Sequence, residues 1–400
     1  MTIFEPPPAG VDSPARFVGE ARWNQMKQYA EQHETPFVLI DLAMIRERYL
    51  ALHSEFPLAD IYYAVKANPA VEIIRLLRDL GGCFDIASIY ELDKVLNEGV
   101  RPDRVSFGNT IKKRKHIKAF FERGVRLFAT DSEADLANIA ELAPGAKVYA
   151  RVLVDGSEGA DWPLSKKFGC SPEKATALLV KARELGLEPY GMSFHVGSQQ
   201  RDLSVWPAAL ARVKGVFDAL AAQGITLKMV NLGGGFPARY RTATPELAEY
   251  AGTIRRSLEQ QFGEALPRLI FEPGRSLVGD AGVLFSEVVL VARKGTDPDP
   301  RWVFTDIGKF GGLIETLDEA IKYPLYTDKS GATEPVVLAG PTCDSMDILY
   351  ERTPYLLPLS LESGDRLYWC STGAYTTSYS AIEFNGFPPL KAYYMDSSSI

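Results

Sequence analysis

Short apolar runs alternate with segments of helical periodicity between residues 60 and 272. The apolar runs are rich in β-branched and aromatic residues, which is typical of strands buried in a parallel sheet. Eight such runs begin near Ile61, Gly82, Arg104, Val125, Lys147, Tyr190, Leu227 and Leu269. Strands that alternate with helices predict βαβ units, and eight units within roughly 250 residues predict a closed (β/α)8 barrel.

Two segments between these runs carry signals for the start of a helix. Ser88 and Glu91 have the spacing of a capping box ahead of an apolar helical stripe. Ser171, followed by Pro172, offers an N-cap with proline at the first helical position. Both signals predict helices that follow barrel strands.

After Arg275 the pattern changes to strands separated by turn-rich loops, and helical periodicity becomes scarce. The predicted strands are Val283 to Val291, Trp302 to Thr305, Pro335 to Ala339 and Asp365 to Cys370. We therefore expect two domains, a barrel over residues 36–276 and a mostly antiparallel β-sandwich or β-barrel over residues 277–400. The sequence alone does not decide which domain residues 1–35 join.

Composition and charge exclude several classes of protein. The formal net charge of −7 argues against a nucleic-acid surface, and 46% hydrophobic residues suffice for one large and one smaller domain. Residues 1–10 lack the apolar segment of a signal peptide, and nowhere do eighteen uncharged apolar residues run together. We therefore expect a soluble cytoplasmic protein with neither nucleic acid nor membrane as a partner.

The cysteines do not suggest a disulfide framework or a metal site. The four cysteines are scattered without a C-x-x-C pair, in a chain with only four histidines. This usage predicts free thiols and no bound metal.

Unusual polar residues and glycines fall at or just after the predicted carboxyl ends of the barrel strands. They are Lys66, Asp85, Asn109, Arg151, His195, Gly233 and Glu272. Barrel enzymes build their sites at this end of the strands, whereas packing alone predicts no such clustering. Lys66 by itself could be a lysine that reaches solvent from a strand end. The other polar residues and glycines at the strand ends indicate a cofactor site instead.

Six motifs occur in the order seen in the pyridoxal-phosphate (PLP) decarboxylases of the alanine-racemase-like fold (fold type III). They are Ala67-Asn68-Pro69, Phe84 to Ser88, Gly108 to Lys113, His195 to Gln200, Gly340 to Ser345 and Gly373 to Thr377. The chain resembles this group of ornithine, lysine, arginine and diaminopimelate decarboxylases over nearly its whole length, and the shorter bacterial ornithine decarboxylases most. The resemblance implies that part of residues 1–35 joins the second domain.

PLP acts as an electron sink when the bond between Cα and the carboxylate breaks, so the protein must supply a lysine to hold it. Lys66 fits this role, and we expect burial and neighbouring positive charge to lower the pKa of its ammonium group. The sink works best with a protonated pyridine nitrogen, for which Glu272 is the expected anionic partner.

The phosphate of PLP requires backbone N–H groups that can approach closely, and residues 233–235 form a triglycine after an apolar strand. Such a triglycine could merely be a flexible turn, but Gly274 and Arg275 add a second loop and a permanent charge. The expected phosphate and loop contacts, in part by resemblance, are Ser198, Gly234, Gly235, Gly274, Arg275 and Tyr375.

Three further barrel residues are assigned to the cofactor by resemblance. His195 is expected to stack against the PLP ring, although a buried histidine with satisfied hydrogen bonds is the usual alternative. Asp85 and Arg151 are expected near Lys66 and the cofactor, although both could belong to structural ion pairs.

The resemblance also assigns a catalytic loop to the second domain. Cys343 is implied to protonate Cα after decarboxylation, from across the interface of a two-fold homodimer. Without the resemblance, a buried structural cysteine would be the usual interpretation. Asp344 is implied to receive the distal ammonium group of the substrate, and Phe384 is a further expected substrate contact.

The segment from Phe310 to Glu319 carries three acids and no arginine. Binding of a distal carboxylate, as in diaminopimelate, favours an arginine fork, so the segment indicates a distal cation. Glu315 and Glu319 are spaced to share one helical face, although a solvated acidic surface is equally compatible.

L-Ornithine is the expected substrate by resemblance, with putrescine and CO2 as products. Lysine, or both lysine and ornithine, remains an alternative, because one methylene contributes only ~1–3 kcal/mol of discrimination. Diaminopimelate decarboxylation, amino-acid racemisation and a non-catalytic homologue are further alternatives.

Overall fold

The computed structural model describes residues 13–154, 159–162, 167–295 and 299–399. The chain divides into two compact units. Of the described residues, those within 46–237 and 244–277 form the barrel unit, and those within 13–45, 238–243 and 278–399 form the β unit. Each unit has its own sheet system.

The strands are β1 Phe37–Asp41, β2 Ala59–Ala64, β3 Cys83–Ile86, β4 Val105–Phe107, β5 Leu127–Thr130, β6 Lys147–Arg151, β7 Ala160–Trp162, β8 Glu188–Ser193, β9 Ser198–Gln200, β10 Met229–Asn231, β11 Arg268–Phe271, β12 Gly282–Ala292, β13 Arg301–Thr305, β14 Leu325–Thr327, β15 Thr333–Ala339, β16 Ile348–Pro358, β17 Arg366–Cys370 and β18 Lys391–Met395. The α-helices are α1 Ala15–Val18, α2 Glu20–Ala30, α3 Leu42–Glu55, α4 Val71–Asp79, α5 Ile89–Asn97, α6 Arg114–Glu122, α7 Glu133–Leu142, α8 Pro172–Glu184, α9 Val205–Ala221, α10 Leu247–Phe262 and α11 Arg275–Val278.

The barrel unit contains the predicted closed barrel of eight parallel strands. Their order is β2-β3-β4-β5-β6-β8-β10-β11, and β11 closes the ring by pairing with β2. Buried side chains from seven of the eight strands, including Tyr62, Tyr149, Met229 and Ile270, form one apolar cluster. Because the strands are parallel, their carboxyl ends lie at one end of the barrel.

Both predicted helix starts are confirmed. The Ser88 hydroxyl accepts a hydrogen bond from the Glu91 backbone N–H at 3.3 Å. Ser171 caps α8 in the same way through Lys174, at 3.2 Å, and Pro172 is the first residue of that helix. These caps satisfy N–H groups that have no partner within the helix.

The β unit contains an eight-stranded, mostly antiparallel sheet, which confirms the predicted fold class. Six strands follow the order β14-β17-β12-β13-β15-β16, while β1 pairs with β12 and with β18. All four strands predicted after Arg275 are present within one or two residues of their predicted limits. The β1–β18 and β13–β15 pairs are parallel, and the remaining pairs of this sheet are antiparallel.

The domain limits 36–276 and 277–400 stay a prediction, and the structure differs from them at β1. Residues 37–41 lie inside the predicted barrel limits but were not among the eight predicted barrel strands, and β1 pairs with β12 and β18 with all five residues buried. An apolar strand fits either sheet, so its sequence does not identify its partners. Among the described residues, no helix is long and apolar enough to cross a membrane.

Candidate active site

Lys66 lies on a short turn directly after β2. The turn, Val65–Ala67, is a single 3-10 segment. A hydrogen bond stabilises the turn, since the Tyr63 hydroxyl donates to the carbonyl oxygen of Asn68, the residue after it, at 2.9 Å. Lys66 is exposed, so the burial expected around this lysine is not seen. The turn nevertheless presents the amine at the carboxyl end of the barrel.

Four charged or titratable side chains lie close to Lys66, and with it they form what we call the barrel-end cluster. Its members are Lys66, Asp85, Arg151, His195 and Glu272. Burial raises the pKa of Asp85, and the Glu272 carboxylate raises it further, whereas Lys66 and Arg151 oppose that rise. Residues that the sequence spreads over about 200 positions are therefore brought within electrostatic range of one amine.

Asp85 presents a buried oxygen that the described residues do not satisfy. Its Oδ1 has no hydrogen-bond partner among them. The carboxylate packs directly on Gly108, where a Cβ would lie 1.9 Å from Oδ1, so only glycine fits. A buried acceptor without a donor is rare in folded proteins and points to a group that the site is built to receive.

Glu272 is held by a residue that the sequence reasoning missed. The Asn231 side chain, at the end of β10, donates a hydrogen bond to Glu272 Oε1. Burial raises the pKa of Glu272, and the Asn231 hydrogen bond, Lys66 and Arg151 lower it. An apolar strand that ends in asparagine two residues before a triglycine is the signal that could have revealed Asn231.

Glu91 was also missed as a site residue, because its sequence context indicated only a helix cap. Its Oε2 accepts a hydrogen bond from the Ala87 backbone N–H at 2.7 Å. Burial raises the pKa of Glu91, while the Ala87 N–H and Lys66 lower it. The capping side chain thus adds negative charge beside Lys66.

The His195 imidazole is neutral at neutral pH. Burial, together with Arg151 and Lys66, lowers its pKa well below the ordinary value. The ring lies over the triglycine, since a Cβ on Gly233 would be 3.3 Å from His195 Nδ1. A neutral imidazole can pack on another aromatic ring without adding a cation to the site.

The backbone conformation of the triglycine loop requires glycine, so these residues are not merely a flexible turn. Gly233 and Gly235 have φ values of +66° and +103°, in the region that favours glycine. A Cβ on Gly235 would lie 2.6 Å from the Gly197 carbonyl oxygen. The loop therefore packs tightly on the segment around Gly197, and a loop without side chains allows its backbone N–H groups to approach an anion closely.

Arg275 and Ser198, both predicted to contact phosphate, are joined directly. Arg275 Nε donates to Ser198 Oγ at 3.1 Å, and Arg275 is only 4% exposed. A buried guanidinium beside a hydroxyl and a glycine loop forms a donor-rich pocket suited to an anion.

The barrel-end residues fit PLP in each of its three functional parts. Lys66 offers the amine, Glu272 an anion for the ring nitrogen, and the triglycine with Ser198 and Arg275 a cradle for the phosphate. The unsatisfied oxygen of Asp85 and the glycines that exclude any Cβ are the observations that support this fit.

The β unit carries the loop of Cys343 and Asp344. Of the cysteines, Cys343 is exposed and the other three are buried. Its backbone N–H donates to Asn385 Oδ1 at 2.9 Å, and its Sγ lies 3.4 Å from the same oxygen. Asp344 is half-buried, and its carboxylate accepts from the Met346 N–H at 2.8 Å.

The expectation that Glu315 and Glu319 share one helical face is wrong. Leu317 is extended and Asp318 has a φ of +53°, so no continuous helix spans the segment. The Glu319 carboxylate accepts hydrogen bonds from three backbone N–H groups of β16 and from the Thr353 hydroxyl. Glu319 therefore anchors a strand, because four donors occupy its carboxylate. Glu315 is buried as well.

Phe384 and the segment at Phe310 line a common cavity of about 270 Å³ within the β unit. Their ring centroids are 4.7 Å apart. Pro341 and Thr342, which precede Cys343, line the same cavity. Tyr375 also belongs to the β unit and has a φ of +55°, while its contact with phosphate stays a prediction.

Residues 42–279 match the family model described as pyridoxal-dependent decarboxylase, pyridoxal binding domain. The match covers more than half of the chain and includes the entire barrel-end cluster. PLP is therefore the cofactor of this domain, in agreement with the donor set found there.

The chain is also similar to curated proteins and to solved structures over most of its length. It is 32% identical to a lysine/ornithine decarboxylase of Selenomonas ruminantium, covering 91% of this chain and 90% of that protein. It is 33% identical to an ornithine decarboxylase of Caenorhabditis elegans, covering 91% and 88%. The crystal structure of SrLDC in complex with PLP and cadaverine superimposes with a TM-score of 0.85 at 30% identity, covering 94% of each chain. The chain thus belongs to the pyridoxal-dependent decarboxylases, in the family of the ornithine and lysine decarboxylases.

Proposed function

We propose that the protein decarboxylates L-ornithine to putrescine and CO2. The observation that carries the proposal is the loop on which half-buried Asp344 adjoins the exposed thiol of Cys343. This pair supplies an acceptor for a cationic substrate end and a proton donor on consecutive residues. The names of the relatives, which include ornithine and lysine/ornithine decarboxylases, support the same substrate class.

The barrel residues hold and tune the cofactor. When bound, PLP supplies a sink for the electron pair left on Cα as the bond to the carboxylate breaks. Lys66 would hold the cofactor through its amine. Glu272 would serve the ring nitrogen, His195 would pack on the ring, and Arg275 with Ser198 would bind the phosphate.

Cys343 completes the reaction by delivering a proton. Loss of CO2 removes the bond between Cα and the carboxylate carbon. The Cys343 thiol then donates the proton that forms the new Cα–H bond. Solvent then restores the thiol. The exposure of the Cys343 thiol supports this role, since a proton donor must be accessible to the substrate.

Asp344 is the residue that we assign to the distal ammonium group. Glu319 no longer competes for this role, because its carboxylate is occupied by β16. Within the segment 310–319 no arginine is available for a distal carboxylate, which disfavours diaminopimelate. Lysine, or lysine together with ornithine, stays the alternative, since the two differ by one methylene.

We further propose that two chains form a homodimer in which each Cys343 loop completes the site of the other subunit. The family resemblance supports this arrangement. The exposure of Cys343, Met346 and Ile382 on the β unit agrees with a surface available for a partner.

The test is an assay of the PLP-loaded protein with ornithine, lysine, arginine and diaminopimelate, in which CO2 and the amine are both quantified. Ornithine is expected to have the highest kcat/KM, and Lys66→Ala should lose nearly all turnover. A higher kcat/KM for lysine would show that lysine, not ornithine, is the preferred substrate. No CO2 from any of the four amino acids would overturn decarboxylation itself.

A further inference from the structure

Asn231 makes two hydrogen bonds with one side chain. Its Nδ2 donates to Glu272 Oε1, and its Oδ1 accepts from the Gly233 backbone N–H at 2.9 Å. The residue is the last of β10 and is 1% exposed. A buried amide whose donor and acceptor are both used has a single orientation.

These contacts belong to a closed ring of hydrogen bonds between the ends of β10 and β11. The Glu272 backbone N–H donates to the Gly233 carbonyl oxygen at 2.8 Å. Gly233 thus donates a hydrogen bond to the Asn231 side chain through its N–H and accepts one from the Glu272 backbone N–H through its carbonyl oxygen. The Glu272 side chain returns to Asn231 and closes the ring.

We propose that Asn231 is a positioning residue that holds the Glu272 carboxylate and the start of the triglycine in one fixed arrangement. The inference rests on the proposed function, in which Glu272 faces the ring nitrogen of PLP and the triglycine faces its phosphate. One amide therefore sets the spacing between the contacts for two ends of a rigid cofactor.

The amide also favours the anionic form of Glu272 over the protonated form. An N–H group can only donate, so its hydrogen bond favours the carboxylate over the carboxylic acid. Burial raises the pKa of Glu272, and the contact with Asn231 is the largest effect that opposes this rise. Loss of the amide should therefore move protonation of Glu272 to higher pH.

Substitution to aspartate should have the larger effect. Asn231→Asp places a second carboxylate against Glu272, and two carboxylates in contact share a proton. Asn231→Ala removes the donor without adding charge. The expected order of the Glu272 pKa is then Asn231→Asp above Asn231→Ala above wild type.

The experiment is a pH titration of the absorbance of protein-bound PLP in the absence of any amino acid. Glu272→Gln identifies the transition that belongs to Glu272, because the transition should vanish in that variant. Its midpoint should rise by about 1 to 2 pH units in Asn231→Ala, which is the effect of losing one hydrogen bond to a charged group, and further in Asn231→Asp.

Asn138 provides the matched control. It lies on α7, and its side-chain oxygen accepts a hydrogen bond from Arg114 at the surface. Asn138→Ala and Asn138→Asp should leave the midpoint unchanged. Equal midpoints in wild type and both Asn231 variants, with only weaker PLP binding, would overturn the proposal and leave Asn231 with a packing role.

A double substitution covers the case in which the single variants do not fold. Asn231→Asp with Glu272→Gln exchanges donor and acceptor and allows both hydrogen bonds of the side chain at residue 231 to form again. We expect this protein to fold, to lack the Glu272 transition and to bind PLP about as tightly as Glu272→Gln, which lacks the same carboxylate. PLP binding much weaker than that of Glu272→Gln would contradict a positioning role for the ring.

The result is independent of the substrate assignment. A protein that binds PLP and shows the shifted midpoints, yet releases no CO2 from any of the four amino acids, would overturn the proposed function and keep the role of Asn231. If the wild-type protein decarboxylates ornithine but the Asn231 variants have unshifted midpoints, the proposed function stands and the role of Asn231 is overturned.

Discussion

Asp347 accepts two hydrogen bonds from Thr342, one from its hydroxyl at 2.7 Å and one from its backbone N–H at 3.2 Å. The same carboxylate accepts from the Lys309 N–H at 2.7 Å and is only 2% exposed. A Cβ on Gly308 or Gly340 would collide with it. Asp347 therefore ties the start of the Cys343 loop to the segment at Phe310.

Asp347→Ala should destabilise the protein and misplace the Cys343 loop. Three donors of half-buried residues lose a charged, buried acceptor, so we expect a loss of about 3 kcal/mol in the free energy of unfolding. Urea unfolding measures this loss, and kcat for ornithine should fall in the protein that remains folded.

The control for Asp347 is Asp218→Ala, which removes an exposed carboxylate paired with Lys214 on α9. This change should alter stability by at most about 0.5 kcal/mol. Similar losses from both substitutions would show that Asp347 contributes no more than a surface aspartate.

Glu319→Gln should destabilise the protein at neutral pH by about 2 kcal/mol, because an NH2 group would face the N–H donors of β16. Burial opposes ionisation of Glu319, but hydrogen bonds from Thr353, Arg352 and Glu351 prevail and lower its pKa below the ordinary value of 4.5. A depressed pKa in the folded state stabilises the protein above the unfolded-state pKa, and this contribution is lost as pH falls through the folded value.

The difference in unfolding free energy between wild type and Glu319→Gln should therefore be constant from pH 7 to about pH 5 and shrink below pH 4.5. Urea unfolding at several pH values measures it. A difference that grows on acidification would show that the wild-type carboxylate is not stabilised by these donors. Unchanged substrate preference in Glu319→Gln would agree with a structural role.

Mixing of inactive variants tests the shared active sites. Lys66→Ala and Cys343→Ala chains, each nearly inactive, should regain roughly a quarter of wild-type activity when co-assembled at random. About half of the dimers are then mixed, and each mixed dimer has one intact site of two. Absence of recovery despite demonstrated subunit exchange would place Cys343 in the site of its own subunit or outside catalysis.

Asp344→Asn tests recognition of the distal ammonium group. Loss of a charge-assisted contact should lower kcat/KM for ornithine by roughly 10- to 200-fold, with PLP binding retained. Norvaline, which lacks the distal amine, serves as the control substrate, and its residual turnover should barely change. Equal losses on both substrates would show that Asp344 positions Cys343 rather than the substrate.

The regular pattern of the chain determined the barrel and the place of its chemistry. Eight apolar runs at βα spacing gave the strands, because parallel strands buried on both faces need continuous apolar segments. The parallel direction of the strands placed Lys66 and Glu272 at one end of the barrel, because both residues follow strands and the carboxyl ends of parallel strands meet there. These features depend on local sequence and on a repeated topology.

The tertiary structure alone decided which polar groups contact one another. Asn231 and Glu272 are 41 residues apart, and Glu319 and Thr353 are 34 apart. No local periodicity encodes such a contact, because it depends on how strand ends and loops meet after folding. The acids at 315 and 319 were misread as one helical face for this reason. The predicted barrel limits likewise included residues 37–41, although β1 pairs within the other sheet.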